Sequence, residues 1–406
     1  MVRKFGRLRA VGAVLFGMAA ALLLGQGTTR AAEDFHTPTA AEKAAVIARV
    51  PAGARENYEG YWYFSSVLDS PYVNWKPPAP PWQFCFNDSF LSIPWRAEMY
   101  DEIKKLNSQY HKAGLTKADV LVTDSNNNIG VQLSQYNNLV RQGCNVIISI
   151  PGSPSGLCSG YKDAFNKGVL TVTIQSAVVC PEAVNVGSPQ YFDARKQAQW
   201  LVDAMHGKGN VVMLMGVPGL STTVAEQAGA VDAFKAAPGI KLIGTVYGFW
   251  SPPAAKTEMV KFIATHPQQI DGVWAAGNMS VSAGDAIKQS GRPPALQANG
   301  TNECSFIAYW KQNKLHSFAF SAGGAPNGYE GFLVAIRMMF GQKPAVSTLL
   351  FPATVIDDQN MEKWWRKDIS VQSSCSGDAP DGRLVADNYF DQFFSSGKAV
   401  SPAPQP

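Results

Sequence analysis

Small polar residues repeatedly close the apolar runs of this chain. Asn87, Asp88 and Ser89 end one run, Asp124 and Ser125 the next, and Ser153 and Ser155 follow a third. Gln175 and Ser176 follow a fourth; later come Ser221 with Thr222, then Asn278, then Asn299. Aromatic Trp95, Phe249 and Trp250 are interleaved with them. Amides and hydroxyls donate and accept hydrogen bonds, as ligand hydroxyls do. An aromatic face covers the C–H face of a sugar-like ring. Together these residues predict a binding site for a small uncharged sugar or polyol. Asn87, Asp88, Trp95, Ser153, Gln175 and Ser176 would come from one half of the chain. Ser221, Thr222, Trp250, Asn278 and Asn299 would come from the other. Each of the polar types also serves as a turn former or helix cap, so only the set carries the argument. Asn87, Asn278 and Asn299 head N-x-[ST] triplets, read here as facing a cleft rather than as glycosylation acceptors.

Bond-making chemistry has little support. Gly152-Ser153-Pro154-Ser155-Gly156 places Pro154 where a nucleophile elbow needs serine. The five histidines, His36, His111, His206, His266 and His316, lack metal-ligand spacing. No metal or cofactor is implied. Asp88 and Asp124 leave one enzyme option, an acid–base pair in an exported glycoside hydrolase.

The elements that would position these residues alternate. Strands are expected near 82–86, 119–123, 144–150, 169–174 and 183–186, and again near 211–215, 241–247, 272–276, 295–298 and 317–320. Helices fall between them, among them 95–113, 129–142, 194–206, 224–236 and 253–265, with another at 328–340. Apolar strands separated by helices of ten or more residues indicate βαβ units and parallel sheets. The fold class is α/β, and so many strands in 406 residues suit two doubly wound lobes. Ligands of such sheets bind outside the carboxyl ends of the strands, where the polar residues stand. Residues 32–81 form a separate extension: a short helix near 39–50, then an aromatic and proline-rich run that packs on the body.

Composition narrows the class further. With 46% hydrophobic and 16% charged residues, the chain is neither disordered nor a multi-span membrane protein. Arg3, Lys4, Arg7 and Arg9 precede an apolar run from Val11 to Gly25 and small residues up to Ala32, the pattern of a cleaved export signal over residues 1–31. That segment carries five basic residues, with Arg30, and no acid. It accounts for more than the whole formal charge of +4 and leaves the remainder one unit negative. A phosphate backbone has no electrostatic partner there, so nucleic acid is excluded. Export permits disulfides among the six cysteines. Cys158–Cys180 and Cys304–Cys375 are the expected pairs, while Cys85 and Cys144 lie in apolar strand-like runs and read as buried free thiols.

At this point the chain resembles the type I periplasmic solute-binding proteins of ABC transporters, especially the ribose- and galactose-binding group. The matching pieces are Asp124-Ser125-Asn126-Asn127-Asn128, Val146–Pro151 with its Gly-Ser loop, Gly216–Thr223, His266-Pro267 before Gly272–Asn278, and Asn299-Gly300-Thr301. The resemblance covers about residues 82–352. It implies two lobes joined by three hinge crossings, near Val186–Pro189, Ser321–Gly324 and Phe351–Thr354. The first lobe would hold 82–187 and 323–352, the second 188–322 and 353–406, with the tail. Trp95 and Trp250 would stack on the ligand. Further implications are a periplasmic or extracytoplasmic location, a monomer, and delivery to the membrane subunits of an ABC permease. A chemotaxis or sensor co-receptor would use the same fold. Two departures stand out. Val224, Ala225 and Glu226 occupy the place of the family's sugar-binding arginine, and Gln175-Ser176 replaces an Asp-Arg pair.

Overall fold

The computed structural model describes residues 39–58, 70–377, 379 and 382–394. The expected export signal, 1–31, lies outside the described residues. The extension supplies α1 (Ala40–Arg49) and a 3-10 turn (Ala52–Tyr58). A first lobe follows: β1 (Phe84–Asp88), α2 (Pro94–Lys112), β2 (Leu121–Asp124), α3 (Ile129–Arg141), β3 (Val146–Ile150), α4 (Cys158–Asn166), β4 (Leu170–Ile174) and β5 (Val184–Gly187). The second lobe holds α5 (Gln190–Ala204), β6 (Lys208–Met215), α6 (Ser221–Ala236), β7 (Gly239–Tyr247) and α7 (Pro252–Thr265). It continues with β8 (Gly272–Ala275), α8 (Ser280–Gln289), β9 (Leu296–Asn299), α9 (Cys304–Asn313) and β10 (Ser317–Ser321). The chain then returns to the first lobe for α10 (Gly324–Met339) and β11 (Thr348–Leu350), and to the second for β12 (Thr354–Ile356).

Each lobe is built on a six-stranded sheet. The first has the order β11-β5-β4-β3-β1-β2 and the second β12-β10-β9-β8-β6-β7. All pairings in the first are parallel; in the second only β12 runs antiparallel, to β10. Strands β1, β3, β4 and β5 are buried at every residue, because helices cover both faces of a parallel sheet. Helix α10 is apolar nearly all round, and every residue of Asn327–Met339 is buried. No helix among the described residues is long and apolar enough to cross a membrane.

Three covalent links brace this frame: Cys85–Cys144, Cys158–Cys180 and Cys304–Cys375. The expectation of free thiols at Cys85 and Cys144 is corrected. Cys144 sits two residues before β3, and β3 pairs with β1, so 59 residues of separation collapse to a Cα distance of 6.0 Å.

The chain crosses between lobes after β5, after β10 and after β11. The second crossing is crowded. A Cβ on Gly324 would strike the backbone carbonyl of Trp95, and one on Gly323 that of Gly377, so the chain there admits only glycine.

The tail differs from its expected place. Residues 361–369 do pack on the second lobe, where Met361, Trp364, Trp365 and Ile369 join Phe306 and Trp310. Beyond Cys375 the chain leaves it. Ser376 bonds Glu98 of α2, Leu384 and Val385 donate to Glu330 of α10, and Phe390 and Phe393 are buried against the first lobe. The reason is the apolar outer face of α10, which needs a cover. The extension meets the tail there. Tyr58 Oη donates to Thr348 O at 2.5 Å and accepts from Leu350 N at 3.0 Å, and Asn57 Nδ2 donates to Tyr389 Oη at 2.8 Å. These contacts satisfy polar groups on β11, an edge strand otherwise open to further pairing.

Candidate ligand-binding cleft

A cavity of about 660 Å³ lies between the lobes, outside the carboxyl ends of the strands. That volume suits a small organic ligand. Trp95, at the start of α2, forms part of the first-lobe wall and donates its Nε1–H to Ala322 O at 2.6 Å. Trp250, after β7, stands on the second-lobe wall and donates to Ala276 O at 2.8 Å. Phe249 and Trp250 both adopt left-handed backbone, with φ of 58° and 52°. Such strain in non-glycine residues gathers at functional sites. Asn278 donates to Trp250 O at 2.8 Å and fixes that turn, while its own Oδ1 has no partner.

Gln175 joins the lobes. Its backbone, at φ 55°, is also left-handed. Its carbonyl accepts from Gln190 Nε2 and, at 3.0 Å, from Thr222 Oγ1, both on the second lobe. Its side chain donates to Asn327 Oδ1 of α10 at 2.7 Å. Ser176 lines the cavity beside it.

Trp95, Gln175, Ser176, Thr222, Trp250 and Asn278 therefore line one cavity. The other five residues expected in the site do not. Asn87 is fully buried and braces its sheet, donating to Thr123 Oγ1 at 3.0 Å and accepting from Ser149 Oγ at 3.2 Å. Asp88 is fully buried in an ion pair with Arg96. Ser153 accepts from Gly156 N at 3.0 Å and shapes a loop. Ser221 is buried at the first residue of α6. Asn299, also fully buried, accepts from Ser280 Oγ at 2.6 Å and donates to Glu303 Oε2 at 2.9 Å. Their side chains turn into the lobes to serve the backbone and its neighbours. Asn87 and Asn299 are sealed off as glycosylation acceptors for the same reason. Asp124 accepts from Leu91 N and Asn126 N, a turn role remote from acid–base work on a glycoside.

The sequence reading missed the charged groups of the cleft. Arg96 lines it, with Asp193, Glu226, Asp285 and Glu303. Arg96 is committed to Asp88 and to Ser89 Oγ at 2.8 Å. Burial raises the Asp88 carboxyl, and the Arg96 charge pulls it back. Burial also raises Glu303, opposed by hydrogen bonds from Thr301, from Asn278 N at 2.8 Å and from Asn299. Asp285 lies 3.9 Å from Lys256. Asp193 is pushed up to about 7, chiefly by burial, with Lys196 and the Ser188 hydroxyl opposing. Glu226 is raised well above the usual carboxylate range by burial and by the like charge of Asp193. Also unforeseen, tail residues Val371–Ser376 close one side of the cavity. Glu226 did leave a trace in the sequence, as the acid standing in place of an expected arginine.

Two α/β lobes, three crossings and an interlobe cavity define a solute-binding protein of the periplasmic type. The chain belongs to that family: residues 88–343 match the periplasmic binding protein domain. It is similar to the xylitol-binding protein of Mycolicibacterium smegmatis, 29% identical over 43% of this chain and 50% of that one. It is also similar to the galactofuranose-binding protein of Escherichia coli, 26% identical over 49% of this chain and 64% of that one. The matches thus span between half and just under two thirds of these relatives. A solute-binding protein of an ABC transporter from Thermobispora bispora shares the fold, with a TM-score of 0.64 at 22% identity over 69% of this chain and 87% of the other.

Proposed function

We propose that this protein captures a small polyhydroxylated ligand, a sugar or polyol, outside the cytoplasm and delivers it to the permease of an ABC importer. The observation that carries the reading is the interlobe cavity walled by Trp95 and Trp250. Each ring is held by its own N–H to a backbone carbonyl, so the two surfaces are set before ligand arrives. The neutral polar groups beside them, Gln175, Ser176, Thr222 and Asn278, suit hydroxyls. Family membership and the xylitol- and galactofuranose-binding relatives support the same ligand class. Contacts to both lobes would favour the closed state, and a monomer suffices for the task. The protein performs no bond-making step in this reading.

A thermal-shift panel of xylitol, pentoses, hexoses and glycerol, with neutral amino acids as controls, tests it. A ligand that binds only the folded state raises Tm by mass action. A Tm rise confined to sugars or polyols is the expected result. Stabilisation by amino acids alone, or cleavage of nitrophenyl glycosides, would overturn the reading.

A further inference from the structure

We propose that Asp193 and Glu226 form a subsite for a protonated amine, so that the captured ligand is an amino sugar or an amino polyol. The inference rests on the reading of the cleft as a polyol site and replaces the expectation of an uncharged ligand.

Both acids line the same cavity, Asp193 from the first turns of α5 and Glu226 from those of α6. The two helices touch backbone to backbone: a Cβ on Gly229 of α6 would collide with the carbonyl of Tyr191 on α5. Tyr191 further ties the pair by donating to Asp232 at 2.7 Å. Glu226 Oε2 is sealed from solvent and has no hydrogen-bond partner, and the charge that acts on this side chain is Asp193, of the same sign. Lys196, the cation acting on Asp193, is exposed. Every other charge lining the cleft is already answered: Arg96 by Asp88, Glu303 by Thr301, Asn278 and Asn299, and Asp285 by Lys256. A buried carboxyl without a cation must hold a proton or find a positive charge. An ammonium group in the cavity offers that charge, and three donors to the carboxylate oxygens that face it, while its field also reaches the sealed Glu226 Oε2. Hydroxyls on the same small ligand would meet Gln175, Thr222 and Asn278.

A proton-linked signature follows. Two like acids in one site titrate as a pair and retain a proton near neutrality. An ammonium favours the ionised pair, so binding expels that proton. Affinity then rises as pH rises through about 7, where Asp193 titrates.

The test is calorimetry of the full chain with three matched pairs: D-glucosamine and D-glucose, 1-amino-1-deoxysorbitol and sorbitol, serinol and glycerol. The amine of at least one pair should bind tighter than its neutral partner by about tenfold or more, the scale of a charge-assisted contact. Heats in two buffers of different ionisation enthalpy should show release of about one proton per complex at neutral pH. Glu226→Gln should abolish both the preference for the amine over its neutral partner and the proton release. Neutral members binding as tightly as the amines, or proton uptake on binding, would overturn the amine subsite and leave the polyol reading intact. Binding by none of the six would overturn the amine subsite, and the polyol reading would then stand or fall on the thermal-shift panel.

Discussion

The two lobes hold their acids in different ways. Asp88 of the first lobe is fully buried, yet Arg96 sits against it and Phe90 N donates to it at 2.9 Å. Asp193 and Glu226 of the second lobe are half-buried in the cleft wall, and the charge that acts on Glu226 is Asp193, of like sign. The first arrangement holds its cation without a ligand, although Asp88 Oδ2 and Arg96 Nε keep no hydrogen-bond partner. The second sets like charge against like. Burial alone does not mark a functional acid; what the fold has already supplied to it does.

The sharpest way to break this comparison is to strip Asp88 of its cation. Arg96→Met should cost about 3–5 kcal/mol in denaturant unfolding, because it leaves a buried charge alone. Adding Asp88→Leu should recover most of the loss; a single substitution costing under about 1 kcal/mol would show that Asp88 does not depend on Arg96. Next comes the aromatic pair. Trp250→Ala should weaken binding of the polyol found in the thermal-shift panel by about tenfold to a hundredfold, the scale of burying one large aromatic face. An unchanged Kd would remove the second-lobe ring from the site.

Glu226→Gln should act in the opposite sense to Arg96→Met. Replacing an unpartnered carboxyl by a neutral amide should stabilise the ligand-free protein by about 1 kcal/mol at pH 8. A loss of stability there would mean that Glu226 has an internal partner. The smallest effect is the pH profile. Asp193 is raised to about 7 and Glu330, which holds the tail, to about 8, both chiefly by burial. Acids raised on folding lend stability that is full below their unfolded values and lost as pH rises through the folded ones. Tm of the empty protein should therefore fall by about 3 °C between pH 5 and pH 8, and Asp193→Asn should flatten the lower part of that slope.

The architecture was legible because a parallel strand covered on both faces is a nearly continuous apolar run, as Val146–Ile150 is apart from Ser149. The crossings were expected only through the family resemblance, since nothing in their own residues marks a change of lobe. The site was legible only in part. Asn87 and Gln175 both end strands and look alike in sequence, yet one turns inward to Thr123 and Ser149 while the other spans the lobes. That choice is made by the pleat and by neighbours contributed from distant strands. Asp193 and Glu226 reach the cleft from helix turns whose rotation depends on α5 packing on α6. The Cys85–Cys144 bond required the strand order, since only the pairing of β1 with β3 brings those positions together.

One link has a topological result. Between Cys304 and Cys375 the chain leaves the second lobe, builds α10 and β11 in the first, and comes back. The bond thus closes a covalent ring that threads two of the three crossings. A protease that nicks either of those crossings once opens the ring without releasing a fragment. The halves would stay joined on a non-reducing gel and separate only after thiol treatment.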